Sequence, residues 1–288
     1  MNTTANTTAN TTVNTTADTT VSPTPISEST TTVPTRTASA RIPLTRIVGV
    51  ELRKMFDTRS GFWLMASIVI TSVLATAAII VFAPDDQLTF DNFAAAIGAP
   101  MTVILPMIGI LAVTSEWSQR SGLTTFTLMP RRGRVIGAKF LAAITVGVAS
   151  MFIALVVGVL GTLVGSAIAG VDPVWNVSAI HFTLIVLGSV LGMLFGFMLG
   201  LVIRNSAGAI VTYFVYTLVL PPLLGLLAAN QKWFADLQPW VDYNYAQRPL
   251  FDGDVSSQQW QHLAATGALW FLMPLVIGLL IVRRAEVK

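Results

Sequence analysis

The sequence predicts an all-α polytopic membrane protein: six transmembrane helices preceded by an amphipathic N-terminal surface helix. Three observations carry that expectation. Of 288 residues, 53% are hydrophobic and only 11% charged, against about a quarter charged in soluble domains, and mean hydropathy is +0.71. Apolar runs long enough for the roughly 20 residues of a spanning helix recur along the chain. Basic residues alternate with those runs so that they gather on one side.

The same composition sets aside other classes. A net charge of +3 and a pI near 9.5 raise the question of nucleic acid. The basic residues, however, sit in short clusters beside apolar runs and form no dense stripe, so the anionic neighbour they suit is a membrane surface. With no cysteine, disulfides, thiolate metal sites and cysteine nucleophiles are excluded.

Residues 1–40 differ from everything that follows. Asn2-Thr3-Thr4-Ala5 recurs with period four to about Thr20, and Ser, Thr and Pro continue to about Ala40. Such a stretch has too few apolar groups to offset the entropy of ordering, so a disordered tail is expected, with the six-helix transmembrane domain occupying 41–288. It lacks the basic-then-apolar layout of a signal peptide. Asn-x-Thr sequons begin at Asn2, Asn6, Asn10 and Asn14. A glycosylated external stalk is one reading of them; the basic cluster that follows favours a solvated cytoplasmic tail.

From Leu44 to Asp57 the pattern turns helical. Leu44, Val48, Leu52, Met55 and Phe56 share one arc of a helical wheel, while Arg46, Arg53, Lys54 and Asp57 share the other; Val50 and Glu51 are exceptions. Such a helix lies along a membrane surface, although a plain basic flank to the first span would look similar.

Six apolar stretches follow, near Phe62 to Ala83, Phe93 to Val113, Phe140 to Val164, Ala179 to Ile203, Ala207 to Leu227 and Leu263 to Val282. Pro100, Pro106, Pro221, Pro222 and Pro274 fall in or beside them, which a bilayer tolerates when neighbouring groups satisfy the freed carbonyls. Counting an in-to-out alternation, the inner segments hold 15 of the 17 basic residues, and only Lys232 and Arg248 fall outside. The outer segments carry Asp85, Asp86, Asp91, Asp172, Asp236, Asp242, Asp252 and Asp254. Both termini are therefore expected in the cytoplasm, and an even number of spans fits.

Ionisable groups at mid-bilayer cost about 2.5 to 3.5 kcal/mol on insertion scales and are kept mainly for function. Few are visible here. Glu116, Lys139 and Arg204 sit at the inner ends of spans, and His181 and His262 read as interfacial side chains. Without an acidic or histidine relay, neither an ion-coupled carrier nor an intramembrane protease or metal enzyme is favoured, and no catalytic or metal-ligating residue is assigned. Uphill transport would then need outside energy. The chain has no G-x-x-x-x-G-K-[ST] loop of its own; the nearest approach, Gly133 to Lys139, has the wrong spacing.

The longest inner loop, Thr114 to Val135, is the candidate dock for a separate ATPase. It orders Glu116, Gly122, Leu128, Pro130, Arg131, Arg132 and Arg134 ahead of Lys139. In that order it resembles the ABC-2 type permeases, the membrane subunits of many bacterial ABC exporters, and the likeness runs from Leu44 to the last span. The resemblance implies a coupling helix over Ser121 to Met129, bearing Leu123 and Phe126, seated in a groove of an ATPase and braced by the surface helix. It also implies a dimer in a bacterial inner membrane, with ATP and magnesium bound on the partner ATPase and no cofactor on this chain. Glu116 would pair with Arg120, Arg131 or Arg132. Read without the resemblance, those arginines are topology anchors on anionic lipid.

Two further patterns stand out. Gly188, Gly192, Gly196 and Gly200 repeat every four residues in the fourth span, and Gly161 and Gly165 do so once in the third, which suits close helix packing. Between the last two spans, Ala228 to Gln261 carries Trp233, Phe234, Trp240, Tyr243, Tyr245, Phe251 and Trp260. Aromatics of this kind favour the headgroup layer. The family resemblance implies short re-entrant helices here; a plain interfacial loop reads equally well from the residues. Asp252-Gly253-Asp254 lacks the spacing of a calcium loop. A non-transporting anchor, receptor-associated or immunity protein built on the same spans remains the competing function.

Overall fold

The computed structural model describes residues 43–118 and 132–284. The Asn/Thr-rich segment over 1–40 lies outside them. Among the described residues the protein is all-α, and six of its helices are long and apolar enough to cross a membrane.

Helix α1, Leu44–Asp57, is the expected surface helix. Thr58 ends it in an extended conformation, and its Oγ1 accepts from the Gly61 amide at 3.2 Å to cap α2, Arg59–Phe82. Any side chain at Gly61 would collide with the Met55 carbonyl, so this one-residue junction demands glycine. The apolar arc of α1 divides along its length. Leu52 and Met55 pack on the main core, whereas Leu44 and Phe56 remain 39% and 52% exposed, as suits a helix with one edge on protein and the other toward lipid.

Helices α3 (Phe90–Ser118), α4 (Arg132–Ala169) and α5 (Ala179–Ile203) form the centre. Half or more of the apolar windows of α3 and α5 is buried, 50% and 56%, against 17% in α2 and 11% in α6, Ser206–Asn230. The central pair is therefore a protein core, and the outer helices owe most of their apolar surface to the bilayer. Helix α4 has 38 residues, about 57 Å at 1.5 Å per residue. It outruns the roughly 30 Å of hydrocarbon, so part of it stands clear of the apolar layer.

Contacts at helix ends fix the alternation. The α2–α3 and α4–α5 connections meet at one end, where the Phe90 amide donates to the Val174 carbonyl at 3.0 Å and the Asp91 amide to Asn176 Oδ1 at 2.9 Å. At the opposite end Ser206 Oγ, opening α6, donates to Thr114 Oγ1 near the close of α3 at 2.7 Å. The final helix, Ser257–Gly267 continuing to Met273–Arg284, returns beside the end of α5, where a side chain at Gly278 would meet Val202 at 3.3 Å. Asp85, Asp86, Asp91 and Asp172 thus share one end, and Arg46, Arg53, Lys54, Lys139 and Arg204 the other.

Both interior helix breaks occur near prolines. Residues Val215–Val219 of α6 and Ala268–Leu272 of the final helix are π-helical, and Pro221 and Pro274 follow them. Proline has no amide to donate, so each leaves a carbonyl one turn earlier without its partner.

Candidate functional site

The described residues contain two arrangements with functional content: an ion pair at the basic end and a re-entrant segment inside the bundle.

At the basic end, Lys139 Nζ donates to Glu51 Oε2 at 2.7 Å and to the Ala112 carbonyl at 3.3 Å. Lys54 Nζ donates to Glu51 Oε1 at 2.9 Å. The Glu51 and Lys139 side chains are 6% and 8% exposed, while Lys54 is 48% exposed. Three elements are thereby joined at one point: α1 through Glu51, the last turns of α3 through Ala112, and the first turns of α4 through Lys139. Burial alone would raise the Glu51 carboxyl, but Lys139, with Lys54 behind it, outweighs burial and holds it below the usual glutamate range. The wheel's exception at Glu51 is the residue that faces the bundle. Arg53, also assigned to the surface helix, points outward and pairs with Asp57 at 3.3 Å on the exposed side.

The segment expected to couple to an ATPase connects, in sequence, the two helices that Lys139 joins. Arg120, Gly122, Leu123, Phe126, Leu128, Pro130 and Arg131 lie outside the described residues. Glu116 belongs to the last turn of α3 and Arg132 opens α4.

The four-residue glycine repeat of α5 turns out to serve more than one purpose. A side chain at Gly196 would strike the Pro106 backbone, and one at Gly200 would lie 2.9 Å from the Ile110 carbonyl oxygen. On the facing helix, Gly109 meets the Met193 carbonyl. Here α3 and α5 touch backbone to backbone, which only small residues permit. A side chain at Gly188 would instead strike the Phe251 ring, its Cβ 2.8 Å from Cζ, and one at Gly192 would meet only Gln247 Nε2, at 3.8 Å. In the third span Gly161 and Gly165 make room for Phe93.

Between the last two spans the chain folds back into the bundle. Helix α7, Lys232–Val241, leads in, and α8 (Tyr243–Gln247) and α9 (Pro249–Asp252) lead out. Depth follows from their contacts with α5. His181 Nε2 donates to the Phe251 carbonyl at 2.9 Å, Gln247 Nε2 donates to the Gly188 carbonyl at 2.7 Å, and Tyr243 stacks on Phe195 at 5.7 Å. Measured from Ala179, those partners lie about 3, 14 and 24 Å along the helix. The segment is therefore re-entrant, and an interfacial loop is set aside.

Polar side chains hold it by satisfying backbone that proline and helix ends leave open. In the π-helical turn of α6 the Tyr216 carbonyl would be served by residue 221, which is proline; Asn244 Nδ2 donates to it at 3.1 Å instead. Pro106 likewise leaves the Thr102 carbonyl without a helical donor, and Tyr213 OH donates there at 2.5 Å. Trp270 Nε1 donates at 2.6 Å to the Val241 carbonyl, where α7 ends. In hydrocarbon each unserved carbonyl costs several kcal/mol, so these bonds decide whether the segment can stay inside.

This fold-back revises the charge inventory of the membrane interior. Asp242, expected in an outer loop, is only 4% exposed at the inner tip of the re-entrant segment. Its carboxylate accepts from Gln238 Nε2 at 3.0 Å and from the Tyr245 amide at 3.2 Å. It caps the turn between two helices, a positioning role. His262 packs edge-on to Trp240 at 4.4 Å. No family model matches the chain, and no curated protein matches it.

Proposed function

We propose that this chain is the membrane-spanning subunit of an ATP-driven exporter of the ABC-2 permease type, dimeric and coupled to a separate ATPase in a bacterial cell membrane. The observation that carries the reading is the junction of α1, α3 and α4 through Glu51, Lys139 and the Ala112 carbonyl. The thirteen positions 119–131 connect, along the sequence, the two helices so joined. Force applied to a short loop between tied helices moves them as one body, whereas loosely packed helix ends would absorb it. ATP binding and hydrolysis, with magnesium, belong to the partner, and closure of that partner on ATP drives the tied helices between two arrangements. The basic end faces the cytoplasm, where ATP is available, in keeping with the positive-inside rule. Glu116, Arg120, Arg131 and Arg132 contact the ATPase or fix the loop against it.

The test is affinity purification from native membranes in mild detergent, followed by measurement of ATP turnover in vesicles. The expected result is co-purification of an ATPase with a phosphate-binding loop, and deletion of 121–129 that leaves both proteins in the membrane but uncouples hydrolysis from export. Retained coupling after that deletion refutes the lever. Absence of any ATPase partner favours a non-transporting anchor instead.

A further inference from the structure

A cavity of about 240 Å³ lies between α3, α5, α6 and the outgoing arm of the re-entrant segment. Its walls include Thr102 and Pro106 of α3 and Gly192 of α5. Those positions stand about 18 to 24 Å along their helices from the acidic end, which places the cavity deep in the hydrocarbon layer. We propose that it is a binding site for a small uncharged aromatic molecule carrying a single hydrogen-bonding group.

Size, charge and polarity each point to that class. A cavity of about 150 Å³ holds a benzene molecule, and drug-sized ligands need roughly 300 Å³ or more. This one therefore fits a ring system of one or two rings. None of its lining residues is Asp, Glu, Lys, Arg or His, and the Asp242 carboxylate beside Tyr243 is already engaged by Gln238 Nε2 and the Tyr245 amide, so an ion entering it would lose its hydration with no lining charge to replace it. Aromatic rings of Phe195, Tyr216, Tyr243 and Phe251 contribute flat apolar walls. Among them sit the amides of Asn244 and Gln247. Each spends one N–H on a backbone carbonyl, which orients the group and leaves its oxygen to accept.

Gly192 supplies an independent observation. Its neighbours in the repeat, Gly196 and Gly200, are required by the backbone contact with α3, but a side chain at Gly192 would meet nothing closer than 3.8 Å. Packing does not demand glycine there. What glycine does at 192 is keep the cavity open, in an interior that otherwise packs densely. The inference concerns the cavity of this fold and stands apart from any ATPase partner.

Binding is measured on the full-length protein in lipid nanodiscs, by fluorine NMR of 5-fluoroindole. A saturable bound signal is expected, displaced by indole and phenol but not by benzoate or benzylammonium. Gly192→Val and Ser189→Leu, which fill the cavity, should each weaken binding at least tenfold. Gly225→Val, at an open position on α6, should leave it unchanged. Melting curves confirm folding, and Gly192→Ala, which meets no close atom, serves if the valine variant fails to fold. Absence of a saturable signal, equal displacement by the charged analogues, or undiminished binding to the folded Gly192 variants overturns the assignment.

Discussion

Removing Glu51 should destabilise the protein far more than its place on a surface helix suggests. Its carboxylate is almost fully enclosed and carries bonds to Lys139 at 2.7 Å and Lys54 at 2.9 Å. In Glu51→Leu the Lys139 ammonium stays buried beside the Ala112 carbonyl and loses the carboxylate 2.7 Å away. Breaking a buried pair from one side costs about 3–5 kcal/mol. At about 2–4 °C per kcal/mol for chains of 150–250 residues, that is a fall of roughly 6–20 °C in melting temperature. Lys139→Met is expected to cost roughly half as much in energy, because Glu51 retains Lys54, half exposed and able to keep the carboxylate charged. Glu51→Leu with Lys139→Met removes both charges, and replacement of a buried pair by apolar groups is often close to neutral, so the double variant should melt within about 1–2 kcal/mol of the parent. Thermal unfolding of the four proteins in one detergent completes the cycle. If the two single losses simply add in the double variant, Glu51 and Lys139 are not a coupled buried pair and the brace at the basic end is wrong.

Other consequences follow from the same geometry. Since the Glu51 carboxyl is held below the usual glutamate range, the stability it confers is complete above the ordinary value of about 4.3 and is lost only as acid reaches the lower native value; melting of the parent should therefore fall below about pH 4 more steeply than that of the double variant. Gly200→Ala should cost about 1–3 kcal/mol by forcing α5 away from Ile110, whereas Gly192→Ala should melt within about 0.5 kcal/mol of the parent. Tyr213→Phe strands the Thr102 carbonyl beneath Pro106 and should cost about 1–3 kcal/mol, a loss that would be absent if Thr102 had another donor.

Span number and alternation were legible because both follow from a large, additive signal: apolar length and the placement of cationic flanks. Positions set by tertiary contact were less so. Glu51 broke the wheel of α1, and from one helix alone nothing tells a misplaced carboxylate from one aimed at a lysine 88 positions away; Lys139, near the start of α4, was its unassigned partner. Gly196 and Gly200 were found by period, but Gly109, their counterpart, belongs to no repeat and becomes meaningful only where α3 and α5 cross. Asp242 was placed outside because charge and aromatic content in Ala228 to Gln261 resemble an interfacial loop. The signal that could have corrected this is the pairing of carbonyl-freeing prolines with amide and indole donors: Pro106 and Pro221 in the spans, and Asn244, Gln247 and Trp270 nearby. Matching donors to freed carbonyls requires knowing which elements meet, and periodicity does not supply that.

Because the chain contains no cysteine, single cysteines report sidedness without background. Arg53 and Asp86 are exposed at opposite ends of the bundle. In intact cells a membrane-impermeant maleimide should label Asp86→Cys at once, and Arg53→Cys only after the membrane is permeabilised. Labelling of both from the same face would contradict six crossings with the basic end turned toward ATP.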